Sequence, residues 1–498
     1  MRFSPMRFSR SVAFAAALLV PPSAGVAQLI SLKTVPVAAG DQFLLAPSAT
    51  LGMGGASIAL DDRYGDLFEN PAKGVELDQS VMYAGPTFYS ISQHAGNAKT
   101  LPVGALLRGR TLFGGGMVAL QELDNGDQFF GGVPVYELGS WVPPNALSRR
   151  AATNKYAFVT LGGRLRNAVA IGASAFVADL NAVDGVEHLY AMSDGIDQWG
   201  SAVDLRAGLV KSFAGGRRLG VVALYDRFDM THDVSYVEWL PPVDSTGFWR
   251  DTTRVVTNLD RTRTWGAHLD YVQPLGTTGW RIGGVLTANR KSHPEIPNYE
   301  IMNIPRDPGH STAFDFGVGI AKTSGGTTFA MDVLYEPATS ETWATADTAL
   351  VTVTGRPLAA GAKTVENAFE FSNAFVRVGI EHRVGPAGFQ LGLAVRSYDY
   401  HLDQWDHVAE TTRRANEQWM EWLPSWGATL HLRTVELRYM GRATTGTGRP
   451  GVAWNGGVAE RTAAMDAAND VIVAPGGPLT LQDATVVTHQ LSVIVPIR

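Results

Sequence analysis

The residue types that could do chemistry are concentrated in one stretch, LGMGGASIALDDRYGDLFENPAKG, which runs from Leu51 to Gly74. The adjacent carboxylates of Asp61 and Asp62 have the pairing used in acid–base catalysis or cation binding. The glycines of GMGGAS could cradle a phosphate, but the stretch lacks the lysine and the strand–helix context of a nucleotide-phosphate loop. Ion pairs made by the aspartates, within a segment folded closely against its surroundings, are the interpretation that the composition favours.

Other catalytic and metal-binding signatures are absent from the sequence. The chain has 11 His and 0 Cys, and it contains neither a His-Glu-x-x-His motif nor a Gly-x-Ser-x-Gly elbow. The lack of Cys excludes a disulfide scaffold, a thiolate metal site, a Cys nucleophile and lipid attachment at a Cys. The sequence therefore predicts no catalytic residue, no metal site and no cofactor, and a protein that is not an enzyme.

Composition and the N-terminus indicate an exported protein. The net charge of −6 provides no basic field for nucleic acid, and charged residues make up only 18% of the chain. Arg2, Arg7 and Arg10 precede the apolar run SVAFAAALLV, and small residues follow up to Ala27. This pattern predicts that residues 1–27 are a signal peptide cleaved near Ala27, because the apolar run is too short to span a membrane.

Long alternating segments dominate the rest of the chain. In RTWGAHLDYVQ, for example, Trp265, Leu269 and Tyr271 share one face, while His268 and Asp270 share the other. The segments are about ten residues long, which is the length that a tilted strand needs to cross a bilayer. Aromatic residues cluster at their ends, as in the girdles of membrane barrels. These features favour transmembrane strands over a soluble sandwich.

The connections alternate between short and long, as in an up-and-down barrel with short periplasmic turns and long extracellular loops. Sixteen candidate strands can be placed, and fourteen is an equally good count because the first few are the least distinct. We therefore predict an all-β, transmembrane, antiparallel up-and-down β-barrel of about 14 (14–16) strands over residues 81–498. Residues 28–80 do not alternate, and we predict that they form an N-terminal hatch, or plug, inside the lumen.

The hatch stretch resembles the FadL-type outer-membrane transporters of long-chain fatty acids and aromatic hydrocarbons, and the related PorV-type barrels. Those families carry Gly-Met-Gly-Gly-Ala, then Ala-x-Asp-Asp, then Asn-Pro-Ala. The matching residues in this chain are Gly52, Met53, Gly54, Gly55 and Ala56, then Asp61 and Asp62, then Asn70, Pro71 and Ala72. The resemblance implies a fourteen-stranded barrel in the outer membrane of a Gram-negative-type bacterium, with residues 28–75 as the hatch.

The resemblance also implies transport of hydrophobic small molecules. Extracellular loops would capture such a ligand first, and the sequence offers Trp239, Leu240, Phe248 and Trp249 for this role. Outer-membrane lipid is then the surrounding partner. The alternative is a PorV-like barrel that binds exported proteins for a secretion or surface-attachment system. A general diffusion porin would carry no hatch. The chain departs from most outer-membrane barrels in ending with Ile497 and Arg498 rather than with an aromatic residue.

Overall fold

The protein forms one large antiparallel sheet that closes on itself. The structure is a computed structural model that describes residues 28–30, 32–92, 95–124, 134–135, 140–141, 151–186, 195–240, 250–293, 309–346, 348–451 and 480–497. Its barrel strands are β1 (Val81–Ala84 and Thr87–Ile91), β2 (Asn97–Arg108), β3 (Leu112–Asp124), β4 (Ala152–Arg164), β5 (Val169–Leu180), β6 (Gly195–Ser212), β7 (Arg218–Leu240), β8 (Arg250–Pro274), β9 (Trp280–His293), β10 (Gly309–Ser324), β11 (Thr327–Thr345), β12 (Lys363–Val384), β13 (Ala387–Asp406), β14 (Thr411–His431), β15 (Glu436–Gly451) and β16 (Thr480–Pro496). Each strand pairs with the next along the chain.

The first and last strands close the barrel. Val81 of β1 lies opposite Pro496 of β16 on one side and opposite Leu106 of β2 on the other. The strand is interrupted at Gly85 and Pro86, because proline has no N–H to donate to the ladder, and both of its halves pair with the same neighbours. The barrel therefore has sixteen strands. The count of fourteen that the resemblance implied is wrong, whereas the sixteen alternating segments of the sequence all form strands.

The two faces of the wall have the polarity that a bilayer demands. On the outer face, Val118 and Leu161 are each 65% exposed. Facing inward on the same strands, Gln121 and Asn154 are buried and hydrogen-bonded to each other. A soluble barrel would place the apolar face inside, so this inverted pattern is that of a wall with lipid outside and a polar lumen inside.

Connections of different length sort to the two ends of the barrel. The short turns 109–111, 165–168, 213–217, 275–279, 325–326, 385–386 and 432–435 all lie at one end, as the sequence predicted. At the other end the strands run further than expected, and they include much of the segments 232–261, 337–370 and 401–425 that the sequence assigned to loops. Polar residues on the outer face of these extensions remove the apolar alternation, so the sequence does not identify these segments as strands.

Helical structure in the described residues is short, and most of it precedes the barrel; the turn Ala214–Gly216 between β6 and β7 is also a 3₁₀-helix. The turns Leu51–Met53 and Pro71–Glu76 are 3₁₀-helices, and Asp66–Glu69 is a single turn of α-helix. No helix in the described part of the chain is long and apolar enough to span a membrane.

The inverted polarity predicts how the wall responds to charge. Val159 is 58% exposed near the middle of β4. Val159→Arg should lower the free energy of unfolding in lipid vesicles by about 2–4 kcal/mol, because a charge near the bilayer midplane is poorly solvated. Denaturant titration of the folded barrel in vesicles measures this cost. Thr111→Arg, in a short turn, is the control and should cost little. Equal costs at the two positions would contradict a lipid-facing wall.

Candidate functional site

Residues 28–80, here called the N-terminal segment, lie against the inner face of the barrel. Gly54 has a φ of +70°, a left-handed conformation that glycine adopts without strain. A Cβ atom on Gly54 would lie 2.9 Å from the carbonyl oxygens of Val378 and Leu393, which is closer than real Cβ contacts allow. Glycine at this position therefore lets the backbone of the segment touch the backbones of β12 and β13.

Glycines of the wall also lie where the backbone of the segment touches it. A Cβ on Gly379 would collide with the carbonyl oxygen of Met53, and a Cβ on Gly392 would collide with the backbone nitrogen of Gly54. Five more wall glycines lie directly against Ile58 or against Asn70–Ala72: Gly172, Gly208, Gly283, Gly317 and Gly319. Together they form an inner groove in the wall that follows the path of the segment. The sequence shows these glycines on the second faces of the strands, but it does not show what lies opposite them.

Polar side chains of the wall accept hydrogen bonds from backbone N–H groups of the segment. Gly54 donates its N–H to Ser425 Oγ at 2.8 Å, and Ser57 donates to Asp332 Oδ2 at 2.8 Å. The Asp332 carboxylate also pairs with Arg377 at 2.9 Å. Buried N–H groups without partners would be costly, so these bonds stabilise the segment in place.

Asp61 anchors the segment near the short-turn end of the barrel. Its carboxylate accepts hydrogen bonds from Arg218 of β7 and, at 2.7 Å, from Arg281 of β9. Glu76 shares Arg218 at 2.8 Å. Burial alone would raise the pKa of Asp61, but the hydrogen bond from Arg281 and the charge of Arg218 outweigh it and lower the pKa. The Asp61 carboxylate is therefore held ionised as an ion-pair partner.

The second aspartate of the pair has a different role. Asp62 accepts hydrogen bonds from the backbone N–H groups of Ala49 at 2.6 Å and Gly65 at 3.1 Å. Its contact with Arg438 of β15 is longer, at 3.9 Å. The two adjacent carboxylates thus point to different partners. Asp61 binds the wall, and Asp62 mainly shapes the fold of the segment itself.

A buried lysine joins the segment to β8. Lys73 lies 3.6 Å from Asp66 within the segment and 3.3 Å from Asp270 of the wall. Burial raises the pKa of Asp66, although the charge of Lys73 opposes this. The pKa of Lys73 is raised in spite of its burial, because Asp66 and Asp270 both favour the charged form. The partner of Asp66 is therefore a lysine of the segment itself.

The contacts of the remaining motif residues stabilise the fold of the segment and its packing against the wall. The Asn70 side chain accepts the N–H of Ala72 at 3.0 Å, and Pro71 occupies the first position of the 3₁₀-helix that follows. Met53 and Ala56 are buried in a small apolar cluster with Ala321 and Ala330 of the wall. Gly55, with a φ of +73°, completes the turn that begins at Gly54.

An apolar cluster lies at the start of the segment, apart from the larger one that Leu67 and Phe68 form with Met117 and Phe158 of the wall. Ile30 and Leu32 of the segment pack against aromatic side chains of β12, β13 and β14. We call Phe369, Phe371, Tyr400 and Trp419 the aromatic cluster; their rings contact one another with centroid distances of 5.6–6.4 Å. The sequence missed this cluster, because Phe369 and Trp419 fall in segments that it assigned to loops. The same-face spacing of Phe369 and Phe371 was the available signal.

Two further features lie beside the apolar cluster. Lys33 forms a buried ion pair with Glu421 of β14 at 2.9 Å, and Tyr400 donates a hydrogen bond to the carbonyl oxygen of Thr34 at 3.1 Å. A small cleft is lined by Leu29, Ile30, Leu32, Asp226, Thr264, Asn289, Lys291, Ser311 and Ala313. The start of the segment thus lies between an aromatic wall and a mixed polar cleft.

The candidate capture loop is only partly described. Trp239 and Leu240 form the end of strand β7, where they pair with Asp251 and Arg250 of β8. Phe248 and Trp249 lie outside the described residues. The four residues therefore remain a prediction for a capture surface, with two of them placed on an extended hairpin rather than in an open loop.

One acidic trio has the spacing of a metal site. Carboxylate oxygens of Asp61, Asp66 and Glu76 lie within 4.8 Å of one another. Arg218 pairs with two of these carboxylates, and Lys73 pairs with the third. The cluster is thus already neutralised by side chains of the protein, and the prediction of no metal and no cofactor stays a prediction.

Comparison with known proteins gives distant likenesses. No protein-family model matches the chain, and no curated protein matches it. Among solved structures, the chain is similar to a Pseudomonas aeruginosa FadL homologue, with 11% identity and a TM-score of 0.41 over 93% of this chain and 100% of that one. It is also similar to the Ralstonia pickettii toluene transporter TbuX, with 10% identity and a TM-score of 0.39 over 92% of this chain and 100% of that one. For the P. putida toluene transporter TodX, the identity is 10% and the TM-score is 0.39 over 91% of this chain and 99% of that one.

With TM-scores this low, the likenesses are too distant to carry an argument. The proposals below therefore rest on the contacts of the chain itself.

The glycine groove predicts that added bulk displaces the segment. Gly392→Ala places a methyl group against the backbone of Met53 and Gly54. It should destabilise the packed segment by about 1–3 kcal/mol, as overpacking does. Limited proteolysis should then cut within residues 28–80 faster than in the parent protein. Gly284→Ala is the matched control, because its Cβ would meet only the Gly317 carbonyl oxygen, at an ordinary 3.7 Å. Equal proteolysis of the two variants would argue against the close fit.

Proposed function

We propose that this protein is an outer-membrane transporter of hydrophobic small molecules, such as long-chain fatty acids or hydrocarbons, and that residues 28–80 are a hatch that closes its lumen. The observation that carries the proposal is the apolar cluster that Ile30 and Leu32, at the start of the N-terminal segment, form with the aromatic cluster of the wall. A lumen built only to pass polar solutes has no use for such an apolar surface. Transport of this kind requires binding and movement rather than catalytic residues.

The contacts of the segment support its role as a hatch. It touches the wall on many sides, through Gly172 of β5, Gly208 of β6, Gly283 of β9, Asp332 of β11, Gly379 of β12, Gly392 of β13 and Ser425 of β14. A barrel of this size has a lumen that wall side chains alone do not fill. The segment therefore supplies the material that blocks the passage.

The apolar cluster supports the choice of an apolar ligand. Phe371 and Tyr400 are 5% and 4% exposed, and they share this cluster with Ile30 and Leu32 of the segment. An apolar ligand could take the place of these two side chains while the ion pairs around Asp61 stay in place; the ion pair of Lys33 with Glu421 adjoins Leu32. Burial of apolar ligand surface would then offset the loss of the Ile30 and Leu32 contacts.

The proposed location follows from the wall and the connections. The apolar outer face fits a bilayer, and the sorting of short turns to one end fits an outer-membrane barrel with those turns in the periplasm. In this orientation the aromatic cluster lies toward the extracellular side of the lumen. The signal peptide over residues 1–27 lies outside the described residues and stays a prediction.

Native mass spectrometry of the full chain in mild detergent tests the ligand. We expect a bound fatty acid or hydrocarbon in the parent protein, and at least tenfold lower occupancy in Phe371→Ala, because the ring contributes much of the apolar contact. Phe314→Ala is the matched control, since Phe314 is 40% exposed on the outer face of β10.

Two results would count against the transporter. Equal loss of ligand in both variants would mean that the molecule is bound on the lipid-facing surface. A stoichiometric protein partner without any small molecule would favour the secretion-linked alternative, which no contact described above favours.

A deletion tests the hatch separately. A chain lacking residues 28–75 should still insert, because the closing pairs of β1 with β16 lie outside the deletion. It should conduct ions in planar bilayers, whereas the full chain should be nearly closed. A deletion protein that inserts but conducts no better than the full chain would refute the hatch.

A further inference from the structure

Four arginines on neighbouring strands point away from the lumen. Arg227 of β7, Arg261 and Arg263 of β8 and Arg290 of β9 are exposed; we call them the arginine patch. Their direction follows from strand alternation, since Arg261 and Arg263 share a face with Trp265, which is 66% exposed on the outer surface. Arg290 lies directly opposite Trp265 in the sheet, and Arg227 lies directly opposite Arg263.

The arginine patch lies at the upper edge of the lipid-facing belt. On β7, the outward positions 219–225 read Leu, Val, Ala and Tyr before Arg227, and on β9 the outward positions 282–288 read Ile, Gly, Leu and Ala before Arg290. A tilted strand crosses the bilayer core in about nine to eleven residues, so the arginines fall at the level of the headgroups. Directly below them, the rings of Tyr225 and Trp265 contact each other at 4.6 Å, as in an aromatic girdle.

The charges of the patch are poorly balanced by the protein. Asp229 pairs with Arg227. Within the described residues, no carboxylate forms an ion pair with Arg261, Arg263 or Arg290. Like charges directly opposite each other on a sheet are destabilising, which is the arrangement of Arg227 and Arg263. The protein therefore holds a cationic surface at a depth where an anion of the membrane could neutralise it.

We propose that the arginine patch is a binding site for the phosphate groups of an anionic glycolipid in the outer leaflet. Guanidinium groups bind phosphate oxygens in a bidentate manner, and they keep their charge at the membrane interface. A phosphate between Arg263 and Arg290 would also relieve the repulsion between Arg263 and Arg227. The patch is open on the outer face and borders the aromatic pair, so a headgroup attached to acyl chains fits it better than free phosphate does. The site rests on the proposed orientation of the barrel but not on transport.

Lipid-dependent thermal stability of the full chain tests the site. The probes are diphosphorylated lipid A, its monophosphorylated form and inorganic phosphate, each added to protein in neutral detergent. Diphosphorylated lipid A should stabilise the parent most, and inorganic phosphate at equal concentration should have no effect. Arg263→Gln with Arg290→Gln should weaken the apparent affinity for lipid A at least tenfold, because two charge-assisted contacts are lost. Arg166→Gln with Arg433→Gln is the matched control, since both residues are exposed in short turns at the other end.

The controls separate binding from folding and from transport. Without lipid, the patch variant should be at least as stable as the parent, because a like-charge pair has been removed. Should the double variant fail to fold, Arg290→Gln alone should still weaken lipid A binding several-fold. Equal affinity of the patch and control variants, or equal stabilisation by inorganic phosphate, would overturn the proposal. Neither result bears on the ligand found by mass spectrometry, so failure of this site and failure of the transport proposal are distinguishable.

Discussion

The pairing of β1 with β16 is the interaction on which the rest of the structure depends. In lipid, an unpaired strand edge has no water to hydrogen-bond its N–H and C=O groups, so the sheet is stable only when closed. The register that places Val81 opposite Pro496 achieves this closure. Closure then fixes which side chains face lipid and which face the lumen. The lumen that results is too wide for the wall to fill, and it requires another part of the chain.

The N-terminal segment lies against the inner face of the wall through close backbone contact as well as through apolar packing. Gly54 on the segment and Gly379 and Gly392 on the wall remove the side chains that would keep the two backbones apart. Ion pairs at Asp61 and Lys73 and hydrogen bonds to Asp332 then compensate the polar groups that are buried. Apolar contacts of the segment form two main clusters, a larger one that includes Leu67 and Phe68 and a smaller one at Ile30 and Leu32, beside the aromatic cluster.

Sequence reasoning located the strands because alternation is a local property with a fixed period of two residues. It located the glycine and aspartate motif for the same reason, since those residues are close in sequence. It could not find the partners of Asp61, which lie on β7 and β9 and are brought together only by closure of the barrel. It also missed the aromatic cluster. There the strands run above the membrane, and polar residues such as Glu370 and His401 on the outer face remove the apolar alternation that identifies a membrane strand. The alternative count of fourteen strands was wrong: the first few segments are the least distinct in the sequence, and the resemblance implied the same number.

The position of the segment immediately before β1 has a consequence for how the molecule is assembled. The two strands that close the barrel come from opposite ends of the described chain, and contacts between such distant residues carry the largest cost in chain entropy and form late. Residues 77–80 tie the segment to β1 at the short-turn end. The segment is therefore joined directly to one of the two strands that close the barrel. The width of the space in which it lies is set by the number of strands in the wall and by their tilt, and not by the segment itself.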